Sequence, residues 1–215
     1  MKRVIAGLLC LMILLSAGCS SSEPQTQAAE IEPTPKEEAV LSEAEHSALA
    51  QEAVNSIENA INCLADAAEL IDSCWYTGAK HGNSKDGPSV NDLLSGEYFS
   101  EYFTYREDAA KAVGVWTVYD SLDMSQCVRV ALYLLDADGT FAEAQTSLLD
   151  AKEKIKELDT STEIYTILKD YYTDVDALYT QLSSPSGNYS DFASYISTLA
   201  KTFNDYRSDI DFEIG

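Results

Sequence analysis

Basic residues are scarce in this chain. Fourteen lysines and arginines stand against 36 aspartates and glutamates, a formal charge of −22 over 215 residues. That field repels a duplex, so nucleic-acid binding through phosphate neutralisation is excluded. Histidine is scarcer still, at two. No His-Glu-x-x-His helix can be written, and His46 and His81 support neither a Ser–His–Asp nor a Cys–His site. Ten glycines and five prolines are too few for the dense turns of a β-sandwich. No apolar run reaches the ~20 residues of a spanning helix. What is plentiful is apolar side chain: 46 % hydrophobic and 10 % aromatic is enough to bury a core even at this charge.

Lys2 and Arg3 precede an apolar run from Val4 to Leu15, and Ser16, Ala17, Gly18 and Cys19 follow. These are the basic, hydrophobic and small-residue regions of an export leader, in order. Residues 1–19 resemble the bacterial lipoprotein signal, in which small residues lead up to an acylated cysteine. Leu15 lies four residues before Cys19, where a more usual lipobox has leucine three before. The resemblance implies cleavage of residues 1–18 and diacylglycerol on the Cys19 thiol; an ordinary secretory leader with Cys19 incidental is the alternative. Two or three acyl chains hold a protein stably on a membrane, here the extracytoplasmic face of the bacterial cell membrane, or the outer membrane in a Gram-negative source. Losing Lys2 and Arg3 with the leader takes the charge from −22 to −24. Residues 19–38, with Pro24, Pro33 and Pro35 and one large aliphatic side chain, read as a solvated tether. A folded domain is expected over 39–215.

That domain reads as helices. Ser42 and Glu45 form a capping box. Val54, Ile57, Ile61, Leu64, Ala68, Ile71 and Trp75 then step by three and four, and Ala60, Cys63, Ala67, Leu70 and Cys74 make a second stripe. A helix apolar on two faces is central. All 21 aromatics lie from Trp75 onward, so the partner helices bring the bulk. Residues 77–96, rich in glycine, read as a break, with Ser89 and Asp92 capping a short turn. Residues 97–119 read as helical through Phe99, Tyr102, Ala109, Val113 and Trp116, ending ambiguously between helix and strand. Residues 124–158 form one helix bent near Gly139 or two, with Thr140 and Glu143 boxed for a restart. Thr160 and Glu163 open a helix along Ile164, Leu168, Tyr171, Val175, Leu178 and Leu182. SSPSG at 183–187 ends it, and the last helix follows Phe192, Ile196, Leu199, Phe203 and Ile210. The expectation is an all-α, up-and-down bundle of about five helices behind a disordered tether. The stretch from SPSGNY onward is similar to the ends of small uncharacterised lipoproteins of Gram-positive bacteria, a likeness that implies no function.

The chemistry-bearing residues are sparse. Glu43-x-x-His46 sets two side chains on one helix face, but a di-metal bundle needs two such pairs. Asp136-Ala-Asp138-Gly139 lacks the flanking carboxylates of a calcium loop and reads as a helix break; Asp209, Asp211 and Glu213 read as a charged helix end. No metal or cofactor is expected. Cys63 and Cys74 stand about 16 Å apart on one helix, too far to bridge, though either can reach Cys127 across helices. The tyrosine clusters read as core and rim packing with the phenols reaching water; Tyr98, Tyr105, Tyr172 and Tyr179, partly off the seams, carry the alternative of a sugar- or peptide-binding face. Lys80, His81 and Lys85 form a cationic cluster within the 77–96 break, where Gly78, Gly82 and Gly87 would turn amides outward toward an anionic ligand. Docking of that loop on the protein's own acidic faces is the competing reading.

Three function classes follow. The first is a lipid-anchored binding module for an envelope protein or small ligand, without catalysis. The second is a structural or regulatory envelope protein. The third is a carboxylate-based glycan hydrolase. An exposed apolar or tyrosine patch favours the first, a carboxylate pair with a raised pKa in a concave pocket favours the third, and neither feature favours the second.

Overall fold

In the computed structural model, residues 42–81, 86–95 and 97–214 are described, apart from the side chains of Glu97 and Tyr98. They belong to one compact unit, Val40–Gly215; the other unit, Met1–Ala39, lies outside the described residues. So do Cys19, the tether reading and Lys85.

Every regular element among the described residues is helical. They are α1 (Glu43–His81), α2 (Val90–Leu93), a 3-10 helix (Glu97–Tyr105), α3 (Arg106–Ala112), α4 (Met124–Asp138), α5 (Thr140–Glu157), α6 (Glu163–Ser183) and α7 (Tyr189–Ile214). Among the described residues seven α-helices replace the expected count of about five, because the 77–96 break contributes α2 and the 124–158 segment, read as one helix or two, divides at Gly139 into α4 and α5.

The long first helix is the spine. It starts at the expected cap, where the Glu45 amide donates to Ser42 Oγ at 3.4 Å and the Ser42 amide to Glu45 Oε2 at 2.9 Å. Both apolar stripes then bury, against α4 and α5 on one side and α6 and α7 on the other. Ala50, Ala53, Ala60 and Ala67 are fully buried, and their small volume lets the partners come close. The bulk arrives from those partners. Phe192 stacks 5.1 Å from Trp75, and Tyr171 of α6 meets Phe203 and Tyr206 of α7 at 5.6 and 5.0 Å.

Several local readings need correction. Residues 77–81 are not loop: α1 continues through His81. A Cβ on Gly78 would lie 2.9 Å from the Met124 Cα and 3.0 Å from the Cys127 Cβ, so this glycine serves helix contact and frees no amides for a ligand. A Cβ on Gly87 would meet the Leu122 carbonyl at 2.5 Å. The restart at Gly139 is real, with φ at +90°, but Thr140 does not cap it; its hydroxyl bonds Asp138 at 3.2 Å instead. Thr162, rather than Thr160, caps α6. The ambiguous stretch after Val113 is neither helix nor strand, and Trp116 leaves the seam for solvent. The Ser89–Asp92 capping box forms as read.

Candidate functional site

The end of α3 builds a surface that exposes two large aromatic rings, Trp116 and Tyr119. Gly114, at φ +85°, closes the helix in a Schellman motif: its amide bonds the Lys111 carbonyl at 3.0 Å and the Val115 amide bonds Ala110 at 3.1 Å. Side chains of α4 take the remaining carbonyls, Gln126 Nε2 on Val113 at 3.1 Å and Arg129 Nη2 on Ala112 at 3.3 Å. The chain then turns at residues 116–120 around one carboxylate. Asp120 accepts from the Trp116 and Thr117 amides, both at 2.8 Å, and from the Thr117 hydroxyl at 3.1 Å. Those bonds, the Thr117 amide foremost, hold its carboxyl below the usual range. Val118 tucks inward and its carbonyl accepts the Asn91 amide, while the Leu122 amide bonds Pro88.

With Val118 buried and both flanks pinned, the turn presents its other side chains outward. Trp116 is 97 % exposed and Tyr119 74 %. A cavity of about 330 Å³ separates them from α3, lined by Glu107, Ala110, Lys111, Trp116, Val118 and Tyr119 among others. Met124, four residues after the turn, is also exposed and its backbone packs on Gly78 near the end of α1, whereas exposed Tyr76 sits 5.7 Å from Tyr189 of α7. Large aromatic rings on a fixed backbone offer contact area at little ordering cost.

The cationic cluster read from the sequence divides. Lys80 and His81 are exposed in the last turn of α1, where positive charge complements the helix dipole. Lys85 and Gly82 lie outside the described residues. Lys80 and His81 thus lie within one turn of Gly78, on which the start of α4 packs. Trp116 was hidden by its heptad fit. The available signal was Gly114 followed by Thr117-x-x-Asp120, a helix stop and a carboxylate-centred turn.

The other sequence candidates take structural roles. His46 Nε2 accepts the Asp159 amide at 3.1 Å, tying the first turn of α1 to the α5–α6 connection. Gly139 ends α4. Tyr105, Tyr172 and Tyr179 are half-buried against the core, so they do not form the free tyrosine face. Cys63, Cys74 and Cys127 are free thiols. Asp209, Asp211 and Glu213 lie exposed along the end of α7.

One further polar centre escaped the sequence reading. Arg207 of α7 reaches Glu58 of α1 with Nε on Oε1 at 2.8 Å and Nη2 on Oε2 at 2.6 Å. Tyr171 donates its hydroxyl to the same carboxylate, and Tyr206 donates to Asp174 at 2.9 Å. Burial raises the Glu58 carboxyl, but the Arg207 and Tyr171 hydrogen bonds outweigh it and hold the group low. Burial, reinforced by Asp174, pushes the Tyr206 phenol up to about 12. Glu45, Asp92, Asp120, Asp150 and Asp159 also shift down, each through hydrogen bonds. A general acid for glycan hydrolysis requires the opposite direction.

Compared with known proteins, the chain matches no family model, no curated protein and no solved structure.

Proposed function

We propose that the protein is a membrane-anchored extracytoplasmic binding module, held by acylated Cys19 and the 19–38 tether, that engages an envelope partner or ligand without chemistry of its own. In this reading the long helices form an up-and-down bundle whose job is to display one end. The observation that carries it is the Trp116–Tyr119 turn. An almost fully solvated tryptophan costs hydrophobic free energy on the order of 25 cal/mol per Å², and here it is fixed outward by Asp120 rather than left on a loose chain. Residue types of this kind dominate binding interfaces. The chain enters the domain at the start of α1, a helix about 58 Å long at 1.5 Å per residue over 39 residues, and α4, which follows the aromatic turn, starts against Gly78 near its other end. Lys80 and His81, exposed in the last turn of α1, add basic groups near the helix end on which the start of α4 packs.

The anchor and the face are tested separately. Cys19→Ala leaves an unprocessed precursor without fatty-acid label; equal labelling removes the anchor from this reading. Trp116→Ala with Tyr119→Ala abolishes retention of the domain on isolated cell envelopes while its melting temperature holds. Undiminished retention favours the structural envelope protein instead.

A further inference from the structure

A second concave surface runs between α1, α6 and α7, remote in sequence from the aromatic turn. Its cavity measures about 270 Å³ and its walls include Leu64, Leu178, Ile196, Leu199 and Phe203. Ala65 of α1 and Ala200 of α7 lie on its two rims, both exposed, and their short side chains leave the groove open. Asn204 and Arg207 supply the polar groups of its lining.

The composition selects the occupant. A cavity of ~150 Å³ lined by Leu, Ile and Phe stays dry and takes benzene; this one approaches twice that size. This groove is open to solvent, so water wets it, but the aliphatic walls give that water no polar partners, and an unbranched hydrocarbon of about ten carbons that displaces it gains roughly 0.8 kcal/mol for each methylene it buries. The polar groups decide the head. Arg207 is compensated by the two-point contact with Glu58, and its Nη1 bonds Asn204 Oδ1 at 3.0 Å. Glu58, Asn204 and the Tyr171 hydroxyl engage most of the five-donor fork, so the guanidinium keeps little more than one N–H for a ligand oxygen and offers no net charge. A carboxylate ligand meets a chain of charge −22 with no uncompensated cation in the groove. An ammonium ligand finds the Glu58 oxygens already occupied.

We propose that this groove binds a free, single-chain amphiphile of about ten carbons with an uncharged oxygen head, its tail along Leu64, Leu199 and Phe203 and its head against Asn204 and Arg207. The site is independent of the aromatic turn and belongs to a different ligand class.

The test is displacement of the apolar fluorophore N-phenyl-1-naphthylamine from the whole chain, made without acylation as Cys19→Ser. Decanol, decanoate and decylammonium compete, each below its aggregation limit. Decanol displaces the probe in a saturable, one-to-one manner, at least tenfold more tightly than decanoate or decylammonium. Ala65→Leu with Ala200→Leu fills the rims and weakens decanol at least tenfold. Asn204→Asp, at an exposed position that leaves the core intact, shifts preference from decanol toward decylammonium. The proposal is overturned by non-saturable displacement, by decanoate matching decanol, or by an Asn204→Asp protein with unchanged head preference. Transfer of the probe only into added phosphatidylcholine vesicles, with no protein-bound fraction, overturns it equally.

Discussion

Arg207 and Glu58 stand 149 residues apart and meet through two parallel hydrogen bonds, at 2.8 and 2.6 Å. The pair fastens the last helix to the first. Removing the guanidinium leaves a carboxylate whose side chain is only 27 % exposed, with Tyr171 as its remaining described donor.

Arg207→Ala therefore destabilises the bundle at neutral pH. Because the arginine side chain is itself 41 % exposed, solvent screening keeps the loss to about 1–2 kcal/mol rather than the larger figure of a fully buried pair. The pH dependence has a definite sign. The Glu58 carboxyl titrates below its ordinary value in the folded state, so its contribution is present above the unfolded carboxylate range near 4.3 and is lost as pH falls through the folded value. Thermal melts of wild type and Arg207→Ala differ most at pH 7 and converge in strong acid. A gap that persists unchanged at pH 2 rejects the pair as its source.

The two tryptophans differ so sharply in exposure, 5 % for Trp75 and 97 % for Trp116, that fluorescence separates them. Trp116→Phe removes the red-shifted, acrylamide-quenchable emission and leaves the blue-shifted signal of Trp75. Stability changes by less than ~0.5 kcal/mol, as for other surface substitutions. Asp120→Ala keeps both rings but frees the turn, and hydrogen exchange at the Trp116 and Thr117 amides accelerates. Protection retained in that variant shows that the turn is fixed by something other than the Asp120 carboxylate.

Helical periodicity exposed most of the packing. The α6 seam from Ile164 to Leu182 is buried at every position named, and α1 carries two buried faces as its two stripes require. Boundaries were harder to read, for a physical reason. Thr140, Thr160 and Thr162 all have cap chemistry, and only tertiary placement selects Thr162. The site was hardest. Trp116 fits the helical spacing of Ala109 and Val113, but the left-handed Gly114 diverts the chain before that spacing can be used. Arg207 and Glu58 had no local signature at all, since charged residues half-buried between distant helices look like any solvated face.

Two glycines separate crowding from backbone strain. A methyl group at Gly78 collides with the Met124 backbone at 2.9 Å, so Gly78→Ala pushes α4 off α1 and costs about 1–3 kcal/mol, despite the ~1 kcal/mol by which alanine outranks glycine in a helix. Gly139 has nothing within 4 Å of its would-be Cβ, but its φ is +90°. Gly139→Ala then costs about 1–2 kcal/mol through the left-handed backbone alone. Gly139→Asn, a residue that tolerates this region, recovers part of that loss, while Gly78→Asn is worse than Gly78→Ala. Chemical denaturation of the four variants checks the order; equal effects of Ala and Asn at both positions contradict it.

The thiols provide the last test, because burial grades them. Cys74 and Cys127 are buried and Cys63 half-buried. Cys74 faces the α4 side of α1 one turn before Gly78, and Cys127 packs beneath that glycine at 3.0 Å from its would-be Cβ. Burial pushes the Cys74 thiol far up, with Cys127 adding to the shift, and burial with Asp123 lifts Cys127 to about 11. Cys63 is raised by burial and by Glu143 and Asp66, yet it lines the open groove between α1 and α5. Alkylation requires the thiolate and a path to it. With iodoacetamide at pH 9 and peptide mapping of each site, Cys63 is modified first in the native protein. Cys74 and Cys127 react only at the rate of unfolding and become reactive together in denaturant. Rapid native labelling of Cys127 means that α4 leaves α1 without global unfolding, and the close contact at Gly78 then does not lock the two helices together.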